Sequence, residues 1–128
     1  MEITYKKIPE SDKEQVLCLI NTVIGGLNNT DFFIPYEPWE YDSMFDEENY
    51  AYLFGAYDGN KLVGMMQLYV SQDMVADLKR ELNLGESKVC EIGGALVLPE
   101  YRSRGIAIKL GYMCGTAAQK RGFDYVVA

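Results

Sequence analysis

The sequence contains no histidine. Every mechanism built on an imidazole is thereby excluded: Ser-His-Asp and Cys-His nucleophilic catalysis, His-ligated zinc hydrolysis and phosphotransfer through histidine. Acid–base chemistry falls to Glu, Asp, Tyr, Cys, Lys or water. Cysteine is scarce; Cys18, Cys90 and Cys114 are far apart and form no C-x-x-C. An odd, scattered set predicts neither a disulfide framework nor a metal site. Reduced thiols in a cytoplasmic protein are expected. Bases are in the minority, 12 Lys+Arg against 19 Asp+Glu, for a net charge of -7. Such a chain repels phosphate backbones and anionic lipid, so neither nucleic acid nor a membrane is expected as a partner. No apolar run approaches the ~20 residues of a membrane span. The opening MEITYKKIPE lacks the apolar stretch of a signal peptide.

What is present describes one globular domain over residues 1–128, with 48% hydrophobic and 24% charged residues. Residues 2–8 alternate loosely, as a strand does. Ser11-Asp12-Lys13-Glu14 has the form of a capping box. Val16, Leu17, Ile20, Val23 and Leu27 follow at helical spacing, and Gly25-Gly26 offers a stop, which predicts a helix over 12–24. Residues 28–50 have no clean period, and a short helix is expected near 41–48. The apolar stretches 51–57 and 61–70 flank Asp58-Gly59-Asn60, a hairpin signal. A short helix over 73–84 carries Val75, Leu78 and Leu82. A buried strand over 88–98 contains Gly93-Gly94, which suggests a bulge, and stops at Pro99. A helix over 106–121, striped by Ile106, Leu110, Met113 and Ala117, leads to a last strand at 123–127. The final β-α-β unit predicts two parallel strands and a crossover helix. The fold class expected is α/β (α+β), a mixed central sheet with flanking helices.

The stretch 96–110, LVLPEYRSRGIAIKL, carries chemistry. A buried strand ends, a short turn bears Arg102, Arg104 and Gly105, and a helix begins near Ile106. The first amides of a helix have no partner within it, and the helix dipole places about half a positive charge there. Gly105 lets the backbone approach closely and Ala107 keeps the first turn slim. From 98 to 121 there are five bases and one acid, Glu100, in an otherwise acidic chain. These features make an anion site suited to phosphate or pyrophosphate. The turn is neither G-x-x-x-x-G-K-[ST] nor G-x-G-x-x-G.

Arg102-Ser103-Arg104-Gly105-Ile106-Ala107 resembles the [QR]-x-x-G-x-[GA] turn of the GNAT family of N-acetyltransferases. Its setting matches, after a strand ending in V-x-P and before a helix. The resemblance implies acetyl-CoA as the cofactor. It implies that the pyrophosphate rests on Ser103, Arg104, Gly105, Ile106 and Ala107, with Arg102 opening the motif. It also implies that the pantetheine arm pairs like an added strand along Leu96, Val97 and Leu98. Glu91, eleven residues before Arg102, stands where some members keep a general base. An ammonium must lose a proton before its nitrogen attacks a thioester. The alternative is a strand glutamate that faces solvent or pairs with Lys88. Cys90 is read as core. Family members usually continue past the strand matching 123–127 with a helix, two closing strands and a tyrosine acid. This sequence stops short of these, which predicts a C-terminally truncated version of the fold. A last strand left unpaired invites a homodimer.

From Glu14 to Asp58 there are nine acids and no base, and ten of the sixteen aromatics fall within 32–57. In the resembled family this region walls the acceptor site. An acidic, aromatic wall attracts a cationic amine on a small molecule or peptide. Three readings stay open: an N-acetyltransferase, a non-catalytic acyl-CoA-binding or interaction module, and a purely structural α/β domain whose turn binds no CoA.

Overall fold

The computed structural model describes residues 2–25 and 38–128. Leu27 and the acids and aromatics at 31–37 therefore lie outside the described residues. Strand β1 (Ile3–Lys7) leads through a 3-10 turn (Glu10–Asp12) into helix α1 (Lys13–Gly25). Asp12 ends that 3-10 turn. Its carboxylate accepts the Tyr57 hydroxyl at 2.7 Å, which ties the helix entry to the sheet. The short helix expected at 41–48 lies earlier, as α2 (Pro38–Ser43). Pro38 occupies its first position, where a missing N–H costs nothing.

Strands β2 (Ala51–Asp58) and β3 (Lys61–Tyr69) form a hairpin. Its two-residue turn needs positive φ at Gly59, +61°. A short α3 (Ala76–Glu81) follows, with Leu82 left exposed at its end. Next come β4 (Val89–Val97), a 3-10 turn (Pro99–Tyr101), α4 (Ile106–Lys120) and β5 (Tyr125–Val127). The five strands lie in sequence order, antiparallel throughout except for the parallel β4–β5 pair. This is a mixed sheet with flanking helices. No helix among the described residues is long and apolar enough to cross a membrane.

Almost every residue of β2 and β3 is buried, on both faces. The sheet thus lies between two layers. Helix α4 covers the face bearing Gly64, where an added Cβ would meet Ile106 at 3.1 Å. Helix α1 and the segment after α2 close the other. The buried stripe of α4 is Ile106, Leu110, Cys114 and Ala118. Met113 and Ala117, the expected members, are only half-buried beside it. In α1, Leu19 rather than Leu17 joins Val16, Ile20 and Val23 in the core.

One irregularity decides the site. Between Met65 and Gln67 of β3 there is one residue, and between Leu96 and Gly93 of β4 there are two. This is a β-bulge at Gly94–Ala95, and Gly94 adopts φ +63°. The Gly93-Gly94 pair marks its position in the sequence.

Candidate active site

The bulge re-aims the second half of β4. Leu98 donates its N–H to the Val63 carbonyl at 2.9 Å, and its own carbonyl accepts the Tyr101 N–H at 2.9 Å. Backbone groups alternate along a strand, so the Val97 amide points away from β3. On that side β5 pairs with Val89, Cys90 and Glu91 only. Among the described residues no strand follows beyond Glu91, and the edge from Ile92 to Val97 is open. Of the three residues expected to meet a pantetheine arm, Val97 offers its N–H to this edge. The backbone of Leu98 is committed to β3 and to the 3-10 turn, and both leucine side chains are buried.

The turn that follows is held by its own arginines. Arg102 Nε donates to the Val97 carbonyl at 3.1 Å, and Arg104 Nη2 to the Glu100 carbonyl at 3.2 Å. Arg104 also lies over the Tyr101 ring, 5.7 Å from its centre. Ser103 and Gly105 both take left-handed conformations, φ +63° and +76°. Gly105 is the N-cap of α4 and supplies no side-chain cap. Its carbonyl accepts the Lys109 N–H at 3.0 Å, the first bond of the helix. The amides of Ile106, Ala107 and Ile108 therefore have no partner within α4. A cleft of about 240 Å³ opens here, lined by Val97, Arg102, Ser103, Gly105, Ile106 and Ala107 among others. Uncapped amides, a helix dipole and two guanidinium groups fit a pyrophosphate.

Tyr101 is an addition that the sequence did not announce. Its hydroxyl donates to Asp58 at 2.5 Å, joining the hairpin tip to the turn. That bond raises the phenol's pKa. Tyr101 is thus a brace beneath the anion site.

Glu91 lies in cross-strand register with Tyr69 of β3, and Gln67 with Gly93. Alternation places these four on the face opposite α4. A Cβ added to Gly93 would come within 3.0 Å of Tyr69 Cε2 and 4.0 Å of Glu91 Oε1. The absent side chain is what lets the tyrosine ring and the carboxylate share this spot. Tyr69 continues outward through edge-to-face contacts, to Tyr50 at 5.7 Å and from Tyr50 to Trp39 at 5.7 Å. Trp39 is 52% exposed. An aromatic ladder thus runs from solvent to the side of Glu91.

Cys90 is fully buried, and its Sγ lies 3.7 Å from the Tyr125 carbonyl. Burial pushes its pKa up to about 11, which keeps it a neutral thiol. Several acids of the acceptor side serve the fold. Asp42 pairs with Lys13 at 3.3 Å, Glu47 pairs with Lys7, and Asp46 accepts the Asn49 N–H at 3.1 Å.

Comparison with known proteins decides the family. The model of the Acetyltransferase (GNAT) family matches residues 23–128. The chain belongs to the GNAT acetyltransferases. No curated protein matches it significantly. Among solved structures it is similar to an aminoglycoside acetyltransferase from an uncultured soil metagenomic sample, in complex with sisomicin. The two share 22% identity over 97% of this chain and 74% of that one, with a TM-score of 0.68. It is also similar to a ribosomal-protein-alanine N-acetyltransferase from Brucella melitensis biovar Abortus 2308, at 15% identity, 99% and 78% coverage and TM-score 0.71. A GNAT family acetyltransferase from Brucella melitensis in complex with acetyl-CoA shares 12% identity over 95% and 71% of the two chains, at TM-score 0.66. As a GNAT acetyltransferase the protein is an enzyme, and acetyl-CoA is the cofactor of its family. The turn motif read from the sequence stands at the N-terminus of α4, with the open edge of β4 beside it.

Proposed function

We propose that this GNAT acetyltransferase moves an acetyl group to a primary amine on a cationic small molecule or peptide, with Glu91 as the base. The arrangement of Glu91, Tyr69 and Gly93 on one face, at the point where β5 leaves β4, carries this reading. Acetyl-CoA supplies an activated thioester. The protein's own groups do the rest. Ser103, Arg104, Gly105, Ile106 and Ala107 hold the diphosphate, while Arg102 fixes the turn by its bond to Val97. Val97 N–H donates into the open edge of β4, where it aligns the pantetheine arm and faces the carbonyl oxygen as negative charge develops there. Glu91 takes the proton that the ammonium must lose, directly or through a water. The ladder Trp39–Tyr50–Tyr69 offers ring faces to a cation approaching Glu91. The aminoglycoside and protein-alanine acetyltransferases of the same fold use amines of these two kinds.

The test is calorimetric titration with acetyl-CoA, followed by thiol release with an aminoglycoside and with an alanine-terminated peptide. Gly105→Asp and Gly105→Asn are compared, since both residues tolerate left-handed backbone. The expected result is near-normal binding by the asparagine variant and at least tenfold weaker binding by the aspartate variant. Equal binding by both would remove the pyrophosphate from this turn. Tight binding with no thiol release from any amine would favour a non-catalytic acyl-CoA-binding module instead. Homodimer formation through β5 is part of the same reading. Tyr125 and Val126 are 48% and 43% exposed on an edge strand. Sedimentation at increasing protein concentration is expected to show a dimer, and a monomer throughout would exclude it.

A further inference from the structure

A second concavity lies on the other side of the molecule from Glu91. It runs between α4 and the β1–β2 edge and has a volume of about 450 Å³. That is within the usual range for small-molecule sites. Its floor is apolar, formed by Tyr52, Phe54 and Met113. Its rim is cationic, formed by Lys7, Lys120 and Arg121, with Lys109 at the far end. Among the described residues no acid lines it, although the protein as a whole carries -7. Lys7 and Arg121 both lie over the Tyr52 ring, at 5.5 and 5.3 Å, and Lys109 lies over Tyr5 at 5.6 Å.

Helix capping does not explain this rim. Lys120 and Arg121 suit the negative end of the helix dipole. Lys109 sits in the first turns of α4, where the dipole disfavours a cation, and Lys7 is on a strand. Of the four, Lys7 alone has a carboxylate partner among the described residues, Glu47. Three cations gathered round an apolar hollow, with 19 acids available elsewhere, describe a complement to something anionic. None of the lining residues is shared with the cleft at the turn of α4.

We propose that this groove is a second ligand site for a small amphipathic anion, an apolar body ending in a carboxylate or sulfonate. The body lies on Tyr52, Phe54 and Met113. The anionic end meets Lys120 and Arg121, the guanidinium of Arg121 lying over the Tyr52 ring at the edge of the apolar floor. A cationic or neutral amphiphile of the same size gains the burial and loses the charge pairing.

The test is fluorescence titration with 8-anilinonaphthalene-1-sulfonate, displaced by laurate or by dodecyltrimethylammonium, with and without saturating acetyl-CoA. Saturable binding of one probe per chain is expected, displaced by laurate and not by the cation, and unchanged by acetyl-CoA. Lys120→Glu/Arg121→Glu is expected to weaken binding at least tenfold. Thr116→Trp, which fills the hollow without altering charge, is expected to abolish it. All three positions are exposed, and unchanged circular dichroism and melting verify that each variant folds. Equal displacement by the cationic amphiphile, or affinity unaffected by charge reversal, would overturn the proposal. So would competition by acetyl-CoA, or sedimentation showing that the groove is covered by a second copy of the chain. Each of these results is independent of whether the turn of α4 binds acetyl-CoA.

Discussion

At Glu91 a carboxylate, the end of the β4–β5 pairing and an aromatic neighbour coincide. Replacement by Gln keeps its shape and removes its basicity. Glu91→Gln is expected to lower kcat about 10²–10⁴-fold with little change in the KM for acetyl-CoA. Loss of acetyl-CoA affinity in place of kcat would make Glu91 a structural residue. The cysteines make a contrasting set. Cys18 is exposed, whereas Cys90 and Cys114 are buried with thiols raised to about 11 and about 12. One thiol is expected to react rapidly with a disulfide reagent in the native protein, and three after unfolding. The same shifts set a pH dependence. A folded-state pKa raised above 9 means that the unfolded chain loses the proton first as pH rises. The stability held by these thiols is therefore complete below about pH 9 and drains away through 11 and 12, at about 1.4 kcal/mol per pH unit for each thiol. Urea midpoints at pH 8, 9.5 and 10.5 are expected to fall, and less steeply in Cys114→Ala. Parallel slopes would show that the buried thiol takes no part.

At the scale of elements, the turn that opens α4 was legible in the sequence and the Trp39–Tyr50–Tyr69 ladder was not. The turn is local: Arg102 to Ala107 lie within six residues, and each contribution follows from residue type and order. The bulge was legible for the same reason, since Gly93-Gly94 advertises it. Trp39, Tyr50, Tyr69 and Glu91 meet only through the register of three strands and the placement of α2, which no local pattern fixes. The periodicity of α4 was read correctly as a helix but drifted by one residue in its second half. Four-residue steps carry the buried stripe from Leu110 to Cys114 and Ala118, where Met113 and Ala117 looked equally apolar. Both arginines of the turn were read as charge for a ligand, yet each also holds a carbonyl of its own backbone. The ladder makes its own prediction. Trp39→Ala touches an exposed ring and is expected to change stability by about 0.5 kcal/mol or less, while raising the KM for a cationic amine several-fold. Gly93→Ala is expected to have the same kinetic effect by displacing Tyr69, at a cost of about 1 kcal/mol. Unchanged amine KM in both variants would detach the ladder from the acceptor.

At the scale of the whole molecule, the turn and the open edge belong to elements that hold the fold together. β4 is paired on both sides, with β3 and with β5, and α4 packs its buried stripe against the strands. The bond from Leu98 to Val63 joins the end of β4 to β3, and that from Tyr101 to Asp58 joins the turn to the hairpin. A ligand lying along β4 and across the N-terminus of α4 binds an arrangement that exists only when all of these are formed. Binding to the native state alone stabilises it by about 2.7 kcal/mol at a hundredfold excess over Kd, and by about 1.4 kcal/mol for each further tenfold. For a domain of this size that corresponds to a rise in Tm of roughly 10 °C at the hundredfold point. Acetyl-CoA is expected to raise Tm in this concentration-dependent manner. Adenosine, which lacks the pyrophosphate, should give little shift, and Gly105→Asp should suppress the shift due to acetyl-CoA without lowering the Tm of the free protein by a comparable amount. A shift of equal size from adenosine would place the binding energy in the base, and would leave the uncapped amides of α4 without the role assigned to them.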